Sequence, residues 1–281
     1  MLDAAGDAEG ARAVRQKANQ YNKELKGFCQ QNGLKYRTDR VRTYGAIEPK
    51  KVLDISGGSG IIEIERAMAA KTFEKAVDYA KKELGTSISS LSELPLSTVN
   101  AVNSSIGKLY KNVPSLFGVI DEVIVDDIDD IATSAIRWIN GSPNIRLKLS
   151  RAYFADMSVD KLEETISDLA DAGVFTTKNG INGIIQHEAV HLSEFKQTIK
   201  RYGNSRKAVE QSLESYELAK ELKELALRNC SLDDNEAIIQ RFLCSYAMLN
   251  PAEFLAEGYS STTSNLLTDE IKRLLRKKWG M

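Results

Sequence analysis

The chain has 281 residues, 42% hydrophobic and 27% charged, with a formal net charge of −1. That length buries a real core without disulfide staples, and the near-neutral balance gives no global attraction to nucleic acid or to an anionic membrane. No apolar run approaches the roughly 20 residues needed to span a bilayer. Met1-Leu2-Asp3-Ala4-Ala5-Gly6-Asp7 has neither the basic start nor the apolar stretch of a signal peptide, and the setting stays open, the cytoplasm being one of two settings considered. Cys29, Cys230 and Cys244 form no Cys-x-x-Cys pair. They are expected as reduced, half-buried thiols, with a Cys230–Cys244 bridge left open.

In chain order, residues 8–32 read as a helix rich in Ala, Lys, Arg and Gln, stopped at Asn32-Gly33. Residues 34–48 form a polar, basic arm, either solvated or a docking surface. Lys51-Val52-Leu53-Asp54-Ile55 then runs into Ser56-Gly57-Gly58-Ser59-Gly60, a hinge that divides an N-terminal arm and linker, 1–60, from a second domain, 61–281. Residues 61–84 read as an amphipathic helix ending at Gly85, 86–96 as a Ser-rich connection closing at Pro95, and 97–112 as a helix stopping before Pro114.

From residue 115 the period changes. Gly118 to Asp126 is dense in β-branched residues and predicts a strand, and Ala132 to Ile139 predicts a second. Ile145-Arg146-Leu147-Lys148-Leu149-Ser150 alternates with period two, and Asn140-Gly141 with Pro143 supplies a turn before it. Residues 158–172 predict a helix with Ser158 as N-cap and Gly173 past its end. Everything beyond about 180 predicts helices: 181–200, 205–229, 233–246, one starting at Asn250-Pro251, and 268–279. The expected fold is α+β, a small mixed sheet followed by a mostly helical C-terminal half.

The chemistry concentrates in His187-Glu188-Ala189-Val190-His191, which holds both histidines of the chain. Two histidines four apart on a helix project from one face and can share a metal ion. The glutamate between them sits near the open coordination position, where it can act as general base on a metal-activated water. A catalytic zinc site needs a third protein ligand, and with no third histidine that ligand is a carboxylate or a cysteine. Glu253 is the best candidate. Asn250 caps its helix, Pro251 suits the first position, and Glu253 and Glu257 share a face. Two like charges on one face beside Phe254 and Leu255 favour a cation. Glu253 is read as ligand and Glu257 as the group accepting the free ring N–H of a ligand histidine.

The run Ser245-Tyr246-Ala247-Met248-Leu249-Asn250-Pro251-Ala252-Glu253-Phe254-Leu255-Ala256-Glu257, taken with the His-Glu-x-x-His segment, resembles the zinc site of the catalytic domain of anthrax lethal factor. The resemblance implies a zincin-like metallopeptidase over residues 95–281, with one zinc ion per chain. It implies Glu253 as third ligand and Tyr246 as a catalytic hydroxyl that stabilises the tetrahedral intermediate or assists the leaving amine. It also implies an edge strand that holds an extended peptide or protein substrate. The candidate strand is Ile145–Ser150, continuing through Arg151-Ala152-Tyr153-Phe154, with Arg146, Lys148 and Arg151 either favouring acidic substrate side chains or forming a solvated face.

Phe28-Cys29-Gln30-Gln31-Asn32-Gly33-Leu34-Lys35-Tyr36-Arg37-Thr38-Asp39-Arg40 resembles the C-terminal end of tailed-phage minor head proteins. That implies a prophage-encoded chain, a phage-particle-associated setting, and phage head proteins as partners of the N-terminal arm. Three functions compete: a zinc endopeptidase, a phage structural module with a silent zincin fold, and a methyltransferase. The last rests on Val52 to Gly60, where a strand runs into glycines. Ser56 replaces the first glycine there, and no second strand ending in an acidic residue follows, so no βαβ unit forms.

Overall fold

A computed structural model describes residues 70–88, 93–203 and 205–281. The expected helix 8–32, basic arm 34–48, strand 51–55 and its hinge, the boundary at 60 and the phage-like segment 28–40 lie outside the described residues.

Helix α1 (Phe73–Glu83) starts where Thr72 accepts the Lys75 N–H. Residues 61–69 of the expected 61–84 helix lie outside the described residues, and residues 70–72 are not helical. Gly85, at φ 66°, ends it. The Ser-rich connection contains a two-residue strand, β1 (Ser87–Ile88). Helix α2 (Leu96–Asn112) buries Val99, Val102, Ile106 and Leu109, a stripe at helical spacing. Strand β2 (Glu122–Asp126) is shorter than expected, because the chain turns at Gly118, φ 67°, before it extends.

Strands β3 (Ala132–Ile139) and β4 (Ser142–Ser150) form a hairpin. Its two-residue turn, Asn140-Gly141, has φ values of 50° and 79°, the left-handed pair that a type I′ turn requires. Pro143 lies inside β4 opposite Trp138, not in the turn. The β2–β4 ladder begins only at Arg146, so the N–H that proline lacks has no partner to lose.

Among the described residues the sheet has four strands in the order β1-β2-β4-β3. The pairs β1–β2 and β2–β4 are parallel and β3–β4 is antiparallel. This order corrects the expected edge strand. Strand β4 is paired on both sides, so its main-chain groups are taken, and among the described residues the edge strands are β1 and β3. Residues 151–154 do not extend it but form a short helix, α3 (Arg151–Phe154). The cations on β4 and at the start of α3 are also spoken for. Arg146 pairs with Glu122 at 2.6 Å and Lys148 with Asp126 at 2.9 Å. Arg151 pairs with Asp127 at 2.9 Å and also with Glu93. They do not offer an open face to acidic substrates.

Helix α4 (Val159–Asp171) is capped by Ser158 as expected, and α5 (Gly180–Tyr202) carries the histidine motif. The single helix expected over 205–229 is two, α6 (Arg206–Glu214) and α7 (Glu217–Asn229), broken at Tyr216 with φ 53°. The helix expected over 233–246 is α8 (Glu236–Phe242), which Asn235 caps and Leu243 leaves. A 3-10 turn, Tyr246–Met248, follows. Then come α9 (Pro251–Ser260), capped by Asn250, and α10 (Leu266–Trp279), opened by an Asn265–Thr268 capping box.

Helix α5 lies at the centre, against α2, α4, α9 and strand β3. Ile181, Ile184, Ile185, Ala189, Val190 and Leu192 on α5 are buried, as are Leu147 and Leu149 of the sheet and Phe254 of α9. Cys230 and Cys244 are buried and free, so no bridge joins them. The architecture is a mixed α/β fold, a small sheet followed by a mostly helical C-terminal half. No described helix is long and apolar enough to cross a membrane.

Candidate metal centre

His187 and His191 sit one turn apart on α5. That part of the helix is fixed by close approach: a Cβ on Gly183 would lie 2.1 Å from Thr177 Oγ1, so only glycine lets the 175–179 loop pack there. The imidazole Nε2 atoms are 3.4 Å apart. Helix α9 brings Glu253 in from the other side. Its Oε2 lies 2.9 Å from His187 Nε2 and 3.5 Å from His191 Nε2.

The 3.4 and 3.5 Å separations match a shared ion, and the 2.9 Å one is shorter than such an ion sets. Donors held at about 2.0–2.1 Å around a tetrahedral metal stand roughly 3.3–3.4 Å from one another. Glu253 Oε2 is also buried without a well-formed hydrogen bond, although it touches both rings. A short contact of this kind among buried donors is what a common cation satisfies. His187, His191 and Glu253 form a group that could hold a metal ion.

The electrostatics point the same way. Burial pushes the Glu253 carboxyl up, but the two histidines outweigh it and hold it well below the usual carboxylate range. Burial pulls His187 down, but Glu253 and Glu257 outweigh that and hold it well above the usual imidazole range. His191 is raised for the same reason: burial acts against the shift, and Glu253 and Glu188 carry it. The pocket gathers negative charge and favours a cation in its middle.

Glu257 stands behind the site, fully buried, with Oε1 2.9 Å from His187 Nδ1. Its Oε2 accepts the Thr176 N–H at 2.7 Å, the Thr176 hydroxyl at 2.8 Å and the Cys244 thiol at 3.2 Å. A carboxylate held this firmly fixes the ring, with Nδ1 turned toward it and Nε2 toward the shared position. Helix α9 itself sits tight on α10, where a Cβ on Gly258 would lie 2.4 Å from Ile271 Cδ1.

Glu188 is only 3% exposed, and its Oε2 accepts the Ser134 hydroxyl at 2.8 Å. Tyr246 reaches the site because α8 ends early. The Ser245 and Tyr246 N–H groups bond to the carbonyls of Gly173 and Val174, which carries the phenol ring to 5.9 Å from the His187 ring. The ring also packs edge-on against Phe175 at 5.3 Å, and its hydroxyl donates to Asp130 Oδ1 at 3.2 Å. Burial, with Glu253 and Asp130 nearby, pushes the phenol pKa up, so it is a proton donor at neutral pH.

His187, Glu188, His191, Tyr246 and Glu253 thus line one cleft of about 50 Å³, together with Asp130 and Ile131 just before β3 and Ala132 and Thr133 at its start. With Glu257 behind His187, the structure brings together every site residue the sequence suggested. Sequence reasoning missed Ser134, Asp130, Thr176 and Cys244, which act across long sequence separations. It also missed Glu194, three residues beyond His191 on the same helix, for which spacing was a usable signal. Comparison with family models, with curated proteins and with solved structures finds no match to this chain.

Proposed function

We propose that this chain is a zinc-dependent endopeptidase with a zincin-like fold, arranged like the catalytic domain that its two motifs resemble. One observation carries the reading: two imidazoles from one helix turn, a carboxylate from a distant helix and a buried glutamate between the imidazoles converge on one cleft. His187, His191 and Glu253 would hold the zinc, which when bound would supply Lewis acidity toward water and a carbonyl. Glu188 takes the proton of the attacking water and returns it to the leaving amine. The Tyr246 hydroxyl turns from Asp130 to donate to the oxygen on which charge develops. Glu257 keeps His187 in the tautomer that presents Nε2. An extended substrate adds to the open edge of β3 through main-chain hydrogen bonds.

Two histidines and a carboxylate also hold iron in facial-triad oxygenases. The buried base inside the cleft and the phenol beside it favour hydrolysis, since both serve proton transfer. The test is cleavage of a peptide library by zinc-loaded protein, read by mass spectrometry. Wild type is expected to cut and to carry one zinc per chain. Glu188→Gln is expected to keep the zinc and lose all cleavage. Full hydrolysis by Glu188→Gln would remove the general-base assignment.

A further inference from the structure

Ser134 is the third residue of β3 and pairs across the hairpin with Leu147. Main-chain bonding alternates along an antiparallel pair. The Ile131 carbonyl accepts the Ser150 N–H, so odd-numbered residues of β3 bond to β4 and even-numbered residues turn their N–H and C=O to the open edge. Ser134 is therefore one of the residues whose main chain faces the edge. Its side chain does something else. The hydroxyl points to α5 and donates to Glu188 Oε2 at 2.8 Å, close to the Glu188 carbonyl at 3.5 Å.

Ser134 supplies the hydrogen bond that the Glu188 side chain receives among the described residues. The terminal torsion of a glutamate is broad, so a carboxylate without such a donor samples many orientations. A bond to one oxygen selects an orientation and leaves Oε1 free to face the cleft. Because Ser134 is half-buried and Glu188 buried, water competes poorly for that bond.

We infer that Ser134 is a positioning residue for the base: it ties the Glu188 carboxylate to the same strand residue whose main chain is open to a docking peptide. This rests on the peptidase reading of the site. A substrate strand that hydrogen-bonds to Ser134 stiffens the residue that aims the base, so docking and alignment of the base are coupled. A helix-borne glutamate held only by its own rotamer would lack that coupling.

The test uses the full zinc-loaded chain with Ser134→Ala and Ser134→Thr. In Ser134→Ala, kcat is expected to fall about 10- to 100-fold with KM within about twofold, as for a misplaced catalytic group. Zinc is expected to stay at one per chain. Ser134→Thr, which keeps the hydroxyl, is expected to restore most of kcat. Wild-type kcat in the alanine variant, or a threonine variant as slow as alanine, would overturn the inference. A crystal structure of zinc-loaded Ser134→Ala gives a readout independent of activity. The Glu188 carboxylate is expected to leave its wild-type position or to split between orientations, and an unmoved carboxylate would overturn the tether. If the wild-type chain cleaves no peptide, the peptidase reading falls, and the crystallographic comparison still decides whether Ser134 holds Glu188.

Discussion

Glu194 lies on α5 one turn past His191, only 4% exposed, and nothing in the proposed chemistry uses it. The Ala219 N–H reaches its carboxyl, while Oε1 has no partner. Burial lifts its pKa from 4.5 to about 7, with His191 offsetting part of the rise. A raised carboxyl pKa means that the fold prefers the neutral form. Its contribution is favourable below the unfolded value and is lost as pH climbs through the folded value. The rise from 4.5 to about 7 corresponds to roughly 3.4 kcal/mol of penalty once the group is ionised. Glu194→Gln keeps the shape and removes the charge. Relative to wild type, the variant is expected to gain under about 1 kcal/mol at pH 5 and about 3 kcal/mol at pH 8. Urea unfolding at the two pH values, with a chelator present in both, measures the difference. A gain that does not change with pH, or a glutamine variant less stable at pH 8, would refute the reasoning.

Other perturbations separate the parts of the site. Tyr246→Phe is expected to lower kcat about 10²- to 10³-fold, as loss of an oxyanion donor does, while zinc content by metal analysis stays unchanged. Glu257→Ala removes the acceptor behind His187 and is expected to weaken zinc about 10- to 100-fold in competition with a chelating dye. Gly183→Ala places a methyl 2.1 Å from Thr177 Oγ1. It is expected to cost about 1–3 kcal/mol of stability in thermal unfolding, as overpacking does.

The candidate metal face was legible because it is local. A four-residue spacing puts His187 and His191 on one face whatever surrounds them, and the same rule joins Glu253 to Glu257. Asn250, Ser158 and Asn140-Gly141 mark their cap and turn positions by backbone chemistry that needs no tertiary context. Tyr246 was different. Nothing in its spacing separates it from a core aromatic, and it reaches the cleft only because α8 ends at Phe242 and the chain bonds back to Gly173 and Val174. The edge strand was misread for a related reason. Alternation says which side chains share a face of the sheet, but not where a strand lies in lateral order. Arg146 and Lys148 read as an exposed face, yet β2 supplies a carboxylate to each. The break at Tyr216 has no glycine to announce it, and β1 is too short to carry a period.

Two donors belong to α5 and the third to α9, with a long stretch of chain and three further helices between them. A growing polypeptide that has not yet reached Pro251–Ser260 holds two imidazoles on a helix, with neither the third donor nor the carboxylate that turns His187. An ion that needs all three donors can be held only once α9 is docked on α5. A chain that lacks α9 lacks one of the three donors, so the candidate site is complete only when both helices are in place.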